Sequence, residues 1–237
     1  RTVVPPEQCF APPAGRYSGL FHFRFCRAGR WLDVCVDDRL PVNPRTGQLA
    51  YCRNGRAADE FWCALLEKAY AKLATCYAYL DGGRVEYALA DMTGGVEETL
   101  LTSGDTADHE ALWRILAQAY RLHSLIGAST PYSCREELRH GLVLNHAYSV
   151  TRLIEVTPGK KWLYDQLAQC RSGSNSSRCR RQTSKPIRLV RLRNPWGYRG
   201  VEWDGPFGDN SVEWKRIDGD VQRAIGLTHD DDDGEFW

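Results

Sequence analysis

The most informative feature of the sequence is a pair of short segments, His146-Ala147-Tyr148-Ser149-Val150-Thr151 and, further along the chain, Arg193-Asn194-Pro195-Trp196-Gly197. The first begins with an imidazole and lies in a segment, 143–151, whose apolar spacing predicts a β-strand. A second strand is predicted over 187–192, so Asn194 follows its end. If the two strands are neighbours, the imidazole of His146 and the carboxamide of Asn194 lie side by side.

A histidine beside an asparagine supplies two of the three groups that a thiol protease needs. The third is a thiolate, whose proton the histidine holds and passes on, while the asparagine fixes the imidazole tautomer. Trp196 lies two residues beyond Asn194, where its ring would shield that hydrogen bond from water. From these residues alone a structural role remains the ordinary explanation, because a histidine before a strand and an asparagine before proline are common.

The composition is that of a globular protein and gives no sign of a nucleic-acid partner. The chain has 237 residues, 43% apolar and 26% charged, with a net charge of +1. No apolar run is long enough to span a bilayer. Nine cysteines without CxxC or zinc-like spacing predict reduced thiols in a cytoplasmic protein. Met92 is the only methionine, and we expect the sequence to be part of a longer protein.

The remaining pattern predicts an α+β fold rather than alternating βαβ units. Two strands are predicted around Phe21–Phe25 and Leu32–Val36, followed by a helix from Asp59, as its cap, to Leu80. A second helix is predicted over 109–123, and a further strand over 124–129. Gly82 and Gly83 are the predicted hinge between two halves, 1–82 and 83–237.

Taken together, these segments resemble the protease core of the calpain family, the calcium-dependent cysteine endopeptidases of the cytosol. The resemblance covers nearly the whole chain, in the order that the family shows. Its segments are 17–23, 31–34, 36–41, 60–72, 93–96, the stretches around His146 and Asn194, and 233–237.

The resemblance implies a papain-like core whose two halves flank a cleft. The first half, here incomplete and helical, supplies the nucleophilic cysteine within a Gly-Asp-Cys-Trp segment, and a glutamine for the oxyanion. The second, strand-rich half supplies the histidine that acts as base and the asparagine that fixes its imidazole tautomer, called the orienter below. Matched onto this chain, His146 is the base, Asn194 the orienter and Trp196 the ring that shields the cleft.

The chain departs from the family pattern in three places. It contains no Gly-Asp-Cys-Trp, so the nucleophile is expected upstream of 1–5, none of the nine cysteines is assigned that role, and the chain alone is expected to be inactive. Asn145 stands where the family usually has glycine, and its side chain would crowd the substrate cleft or alter subsite preference. The stretch between His146 and Asn194 is longer than usual because of a basic loop, 171–185.

The resemblance also implies a calcium cofactor. Ca²⁺ prefers six to eight oxygen ligands, several of them charged. In the second half the matching positions are the carboxylates of Glu202, Asp209, Asp233 and Glu235 and the backbone carbonyl of Asp231; in the first half the matching ligand is Glu60. Without the resemblance, the aspartate run near the end of the sequence would be interpreted as a solvated acidic segment.

Two functions therefore follow from the sequence. The first is a calcium-dependent cysteine endopeptidase that makes limited cuts in intracellular proteins. The alternative is a non-catalytic calpain-like protein that binds acidic partners or lipid through the basic loop, with Arg178, Arg180, Arg181 and Lys185 as its contact surface. Membrane association is expected only through that loop or through flanking domains, and the ordinary explanation of the loop's charges is solvation.

Overall fold

A computed structural model shows two compact units, 1–100 and 101–237. It describes residues 2–13, 15–55, 57–102, 108–131, 140–159, 185–197, 203–209, 211–226 and 234–237. No helix within these ranges combines the length and the apolar character needed to cross a bilayer.

A β-hairpin forms the core of the first unit, as the alternating phenylalanines predict. Strands β1 (Leu20–Arg27) and β2 (Arg30–Asp37) are antiparallel, with Phe23 opposite Val34. Ala28 and Gly29 join them with φ values of +50° and +74°, the pair of left-handed residues that a tight two-residue hairpin turn requires. Phe23 and Phe25 are fully buried beneath this hairpin.

One helix packs on this hairpin, and it is shorter than predicted. Helix α1 (Trp62–Leu73) contributes Leu65 and Ala69 to the core that contains the hairpin phenylalanines. The predicted span to Leu80 was wrong because Thr75 has a φ of +95°, which breaks the helical backbone before a short 3-10 helix, Tyr77–Leu80. The predicted cap was also wrong, since the helix begins after Phe61 without a side-chain cap.

Helix α2 (Val85–Thr93) also packs against β1 and so belongs to the first unit. It ends at Gly94, whose φ of +70° is the usual left-handed termination. The sequence predicted that residues 83–100 belong to the second half, 83–237. The compact units are not the same thing as the two halves of a protease core. The predicted boundary between those halves, at 82/83, therefore stays a prediction.

The second unit begins with helix α3 (His109–Arg121), close to the predicted 109–123. Asp108 caps it, because its carboxylate accepts hydrogen bonds of 3.0 Å from the backbone N–H groups of Glu110 and Ala111. None of the residues in this helix is fully buried.

A four-stranded antiparallel sheet with the order β3-β4-β5-β6 carries the rest of the unit. Its strands are β3 (Gly127–Ser129), β4 (Ala147–Val156), β5 (Ile187–Arg193) and β6 (Glu235–Phe236). A 3-10 helix (Val212–Arg216) and helix α4 (Gly219–Ala224) complete the described elements, and Trp214 and Ile217 pack with Ile187 and Leu189 in the core. This mixture of helices and antiparallel sheets confirms the α+β prediction.

The pairing of β4 with β5 decides what lies at one end of the sheet. Ser149 is opposite Arg193, so the start of β4 lies beside the end of β5. Strand β4 begins at Ala147, four residues later than predicted, because residues 143–146 form a turn in which Asn145 has a φ of +49°. The antiparallel register therefore brings the residues just before β4 next to those just after β5.

Candidate active site

His146 and Asn194 meet at this end of the sheet. Nε2 of His146 lies 2.9 Å from Oδ1 of Asn194. Asn194 is 4% exposed, one of the few buried polar residues among those described, whereas the imidazole is half-buried. A buried carboxamide must be hydrogen-bonded to be tolerated, and here the histidine provides one of its partners.

A second donor fixes the orientation of the Asn194 carboxamide. The backbone N–H of Trp196 donates to the same Oδ1 at 3.0 Å. An atom that faces a backbone N–H must be an acceptor, so the oxygen and not the amide nitrogen faces the imidazole. Nε2 of His146 must then carry the proton of the shared hydrogen bond. The other ring nitrogen, Nδ1, is left with the lone pair that a general base uses.

Two aromatic rings enclose the imidazole of His146. The Trp196 ring lies with its centroid 4.3 Å from that of the imidazole, and the Tyr148 ring stands perpendicular to it at 5.0 Å. Trp196 is 57% exposed while Tyr148 is buried. The indole therefore forms the solvent side of this enclosure and the phenol its core side. The indole thus lies against the imidazole, and its role in shielding the hydrogen bond between His146 and Asn194 stays a prediction.

The segment that leads into β6 holds the backbone of Asn194. The backbone N–H of Asn194 donates to the carbonyl oxygen of Gly234 at 2.7 Å. A Cβ at Gly234 would lie 3.0 Å from the backbone of Gly197, and Gly234 has a φ of +79°. This close approach requires glycine at position 234, so the turn after β5 and the start of β6 form one closely packed junction.

Asn145 occupies the left-handed conformation immediately before His146. Its φ of +49° is a value that glycine adopts freely and that asparagine tolerates better than most residues. The backbone therefore explains why a glycine suits this position. Asn145 is exposed, so its role in a substrate cleft stays a prediction.

The predicted calcium ligands are only partly described. Glu202, Asp231 and Asp233 lie outside the described residues. Asp209 is exposed, and Glu235 pairs with Arg191 at 3.2 Å, with both side chains largely buried. In the first unit, Glu60 accepts a hydrogen bond from Asn54. Where the structure describes the chain, no three acidic, histidine or cysteine side chains cluster closely enough to hold a metal ion, so the calcium ligand set stays a prediction.

Six of the nine cysteines lie among the described residues, and none of them is assigned as the nucleophile. Cys9, Cys26, Cys35, Cys52, Cys63 and Cys76 carry free thiols in the first unit, and the other three cysteines lie outside the described residues. Burial, with a smaller contribution from neighbouring Cys63, raises the pKa of Cys52 to about 12. Reactive thiols have lowered pKa values, so Cys52 has the opposite character.

Sequence reasoning missed two residues that contact His146 directly. Tyr148 lies in β4, two residues after His146, and side chains two residues apart share a face of a strand, so the sequence could have predicted this ring contact. Thr130 follows β3, and its hydroxyl accepts the backbone N–H of His146 at 2.9 Å. This contact depends on the pairing of β3 with β4, for which the sequence carries no local signal.

Comparison with known proteins adds an independent observation. A family model described as calpain family cysteine protease matches residues 1–237. Calpain-5 of Mus musculus is 45% identical over 231 residues, which cover 93% of this chain and 32% of that protein. Calpain-A of Drosophila melanogaster is 40% identical over 238 residues, which cover 99% of this chain and 25% of that protein. Calpain clp-1 of Caenorhabditis elegans is 38% identical over 240 residues, which cover 99% of this chain and 26% of that protein. The chain thus spans a third or less of the length of these relatives.

Proposed function

The chain belongs to the calpain family of cysteine proteases, and we propose that it carries the histidine base and the orienting asparagine of a calcium-dependent endopeptidase that makes limited cuts in cytoplasmic proteins. The observation that carries the proposal is the hydrogen bond of 2.9 Å between His146 and Asn194. Membership of the family supports a papain-like core and protein substrates. The two halves of that core are proposed to be 1–82 and 83–237.

The geometry at His146 suits proton transfer from a thiol to Nδ1 of the imidazole. Because Asn194 holds the proton on Nε2, Nδ1 is free to take the proton of a thiol and leave a thiolate. The thiolate attacks the peptide carbonyl, and the imidazolium then returns its proton to the leaving amine. Water attacks the resulting thioester, with His146 again acting as base, and releases the acid. Trp196 keeps competing water away from the imidazole–carboxamide bond.

The thiol in this scheme is proposed to come from the full-length protein. The 237 residues contain no Gly-Asp-Cys-Trp, and an imidazole with its orienter alone forms no thioester. We therefore expect this chain by itself to lack peptidase activity, with or without calcium. Asn145, beside His146, is proposed to line the substrate cleft.

The proposed calcium ligands fit the ion in kind. Glu60, in the first half, and Glu202, Asp209, Asp233, Glu235 and the carbonyl of Asp231, in the second, are all oxygen donors, which Ca²⁺ prefers. When bound, an ion in either half would supply positive charge to the oxygens of that half alone, with Glu60 in the first half and the other five donors in the second. Glu235 is the residue after Gly234, whose carbonyl oxygen accepts the backbone N–H of Asn194. A change in the conformation of this segment would therefore move the orienter.

The test is peptide hydrolysis by the full-length protein, measured against calcium concentration. His146→Ala is expected to lower kcat by roughly 10²- to 10⁴-fold, the usual contribution of a general base. His109→Ala removes an exposed histidine at the start of α3 and is the matched control, expected to leave kcat unchanged. Unchanged hydrolysis in His146→Ala contradicts the proposal. A full-length protein that cleaves nothing yet binds acidic partners through the basic loop is the non-catalytic alternative.

A further inference from the structure

The hydroxyl of Thr130 joins two points of the turn that precedes His146. It accepts the N–H of His146 at 2.9 Å and lies 2.6 Å from the carbonyl oxygen of Val143. A threonine hydroxyl has one proton and two lone pairs, so it donates to Val143 while it accepts from His146. The backbone N–H of Thr130 also donates to the carbonyl oxygen of His146 at 2.9 Å. Thr130 therefore holds both backbone groups of His146.

The hydroxyl of Tyr148 holds the other end of the same turn. It accepts the N–H of Val143 at 2.9 Å. With the Thr130 contact, both backbone groups of Val143 are satisfied by side chains, and the turn 143–146 is fixed at its first and last residues. This bracing matters because Asn145, inside the turn, has a left-handed φ that costs energy for any residue but glycine.

The ring of Tyr148 adds a third constraint on the imidazole itself. It stands at 89° to the imidazole with the centroids 5.0 Å apart, the edge-to-face arrangement that aromatic pairs prefer. Behind it, the ring of Phe236 in β6 packs at 5.8 Å and 81°. Tyr148 is 3% exposed, so its ring has no room to turn aside.

We propose that Thr130 and Tyr148 are positioning residues that hold the His146 imidazole in line with Asn194. The hydrogen bond to Asn194 fixes one ring nitrogen but does not by itself stop the imidazole from rotating about that bond. The turn bracing by Thr130 and Tyr148 fixes the backbone from which the ring projects, and the phenol ring limits its rotation. This inference rests on the proposed function, because positioning matters only if the imidazole acts as a base.

The test uses four variants of the full-length protein. Thr130→Val removes the hydroxyl at nearly constant shape, and Thr130→Ser keeps it. Tyr148→Phe keeps the ring and removes the acceptor for Val143. Thr46→Val is the matched control, since Thr46 also accepts a backbone N–H, from Gln48 at 3.3 Å, but in a turn of the first unit.

We expect Thr130→Val and Tyr148→Phe to lower kcat by roughly 10- to 100-fold, since a displacement of about 1 Å costs on that order, with KM little changed. Thr130→Ser is expected to recover most of the activity, and Thr46→Val to match the parent. The pH at which kcat/KM reaches half its maximum on the acid side should move in Thr130→Val and return in Thr130→Ser.

A second readout does not need activity. Diethyl pyrocarbonate labels uncharged imidazoles, and peptide mass spectrometry gives the rate at each histidine. In Thr130→Val and Tyr148→Phe, His146 should be labelled several-fold faster than in the parent, while exposed His109 keeps its rate as an internal reference.

The two proposals fail in different ways. If His146→Ala leaves hydrolysis intact, the proposed function is wrong, while labelling of His146 still tests the bracing. If His146→Ala abolishes hydrolysis but Thr130→Val and Tyr148→Phe behave like Thr46→Val in kinetics and labelling, the bracing inference is overturned. Equal losses in Thr130→Val and Thr130→Ser also overturn it, because a mere packing role would not distinguish them.

Discussion

Asn194 donates its backbone N–H to the carbonyl oxygen of Gly234 at 2.7 Å, which ties the proposed orienter to the segment that carries the proposed calcium ligands. Two glycines with similar conformations allow this junction to be tested. Gly234 has a φ of +79°, and its Cβ would meet the Gly197 backbone at 3.0 Å; Gly226 has a φ of +65°, with its nearest neighbour, the Arg152 guanidinium, at 3.9 Å.

Gly234→Ala is expected to destabilise the protein more than Gly226→Ala does. Both variants incur the left-handed penalty of about 1–2 kcal/mol, but only Gly234→Ala also has to shift Gly197 and, with it, Asn194. Thermal unfolding and peptide hydrolysis are the measurements: Gly226→Ala should keep its kcat, and Gly234→Ala should lose most of it. Equal stability and activity in the two variants would show that the junction does not hold the orienter.

Asn194→Ala is expected to lower kcat by roughly 10²-fold or more, because without its oxygen the imidazole loses the acceptor that keeps the proton on Nε2. Asn43→Ala is the matched control: the oxygen of Asn43 likewise accepts the backbone N–H two residues on, from Arg45 at 2.9 Å, but bonds no histidine. Steady-state kinetics of both variants decide the matter. A similar small loss in both would mean that Asn194 only stabilises a turn.

Asn145 should respond to substitution according to its φ of +49°. Asn145→Gly is expected to be neutral or slightly stabilising, and Asn145→Val to cost about 1–2 kcal/mol, as a branched side chain fits this region poorly. Chemical denaturation gives the free energy of unfolding. If substrate passes over this residue, Asn145→Gly also changes the preference among peptide substrates, with little change in stability.

The ion pair between Glu235 and Arg191 predicts opposite effects on calcium affinity. Glu235→Gln removes a proposed ligand and should raise the Kd for Ca²⁺, whereas Arg191→Gln removes a competing cation 3.2 Å away and should lower it. A pair contribution of about 1 kcal/mol corresponds to about fivefold in Kd. Glu155→Gln, which breaks a pair with Arg188 on the same sheet, is the control for titration calorimetry. Identical Kd values in all three variants would exclude Glu235 as a ligand.

Tyr70 predicts how the first unit responds to alkali. Burial, reinforced by its hydrogen bond of 2.8 Å to Asp91, raises the pKa of Tyr70 to about 12. The unfolded chain then loses this proton near pH 10 while the folded chain keeps it, so stability falls between pH 10 and 12. Tyr70→Phe should reduce that fall, and Tyr79→Phe, at an exposed tyrosine, should not. Tyr77, whose pKa burial also raises to about 12, would sustain part of the loss.

His146 and Asn194 could each be placed from a local signal, whereas their contact depends on which strands pair. Each residue borders a strand whose apolar spacing is visible in the sequence, and the two strands pair as antiparallel neighbours. The family resemblance covered the rest of the chain and is confirmed by the family model. Pattern and resemblance together therefore gave the α+β class and the place of the histidine and asparagine.

Other features depend on information that no local pattern carries. The bracing by Thr130 requires the pairing of β3 with β4, and the Glu235–Arg191 pair requires that of β5 with β6. The helix from Asp59 to Leu80 was predicted too long because a periodic apolar face continues past Thr75, where the backbone turns left-handed. The left-handed backbone at Thr75 ends the helix although the apolar spacing of the sequence continues.

The two units close their sheets over very different distances along the chain. Ala28 and Gly29 suffice to join β1 and β2, whereas His146 and Asn194 are 48 residues apart in sequence. Short connections lose little entropy on closing and form early, while distant pairings are slow. A newly made or partly refolded chain should thus acquire its hairpin before its aligned imidazole, which has to wait for the distant pairing of β4 with β5.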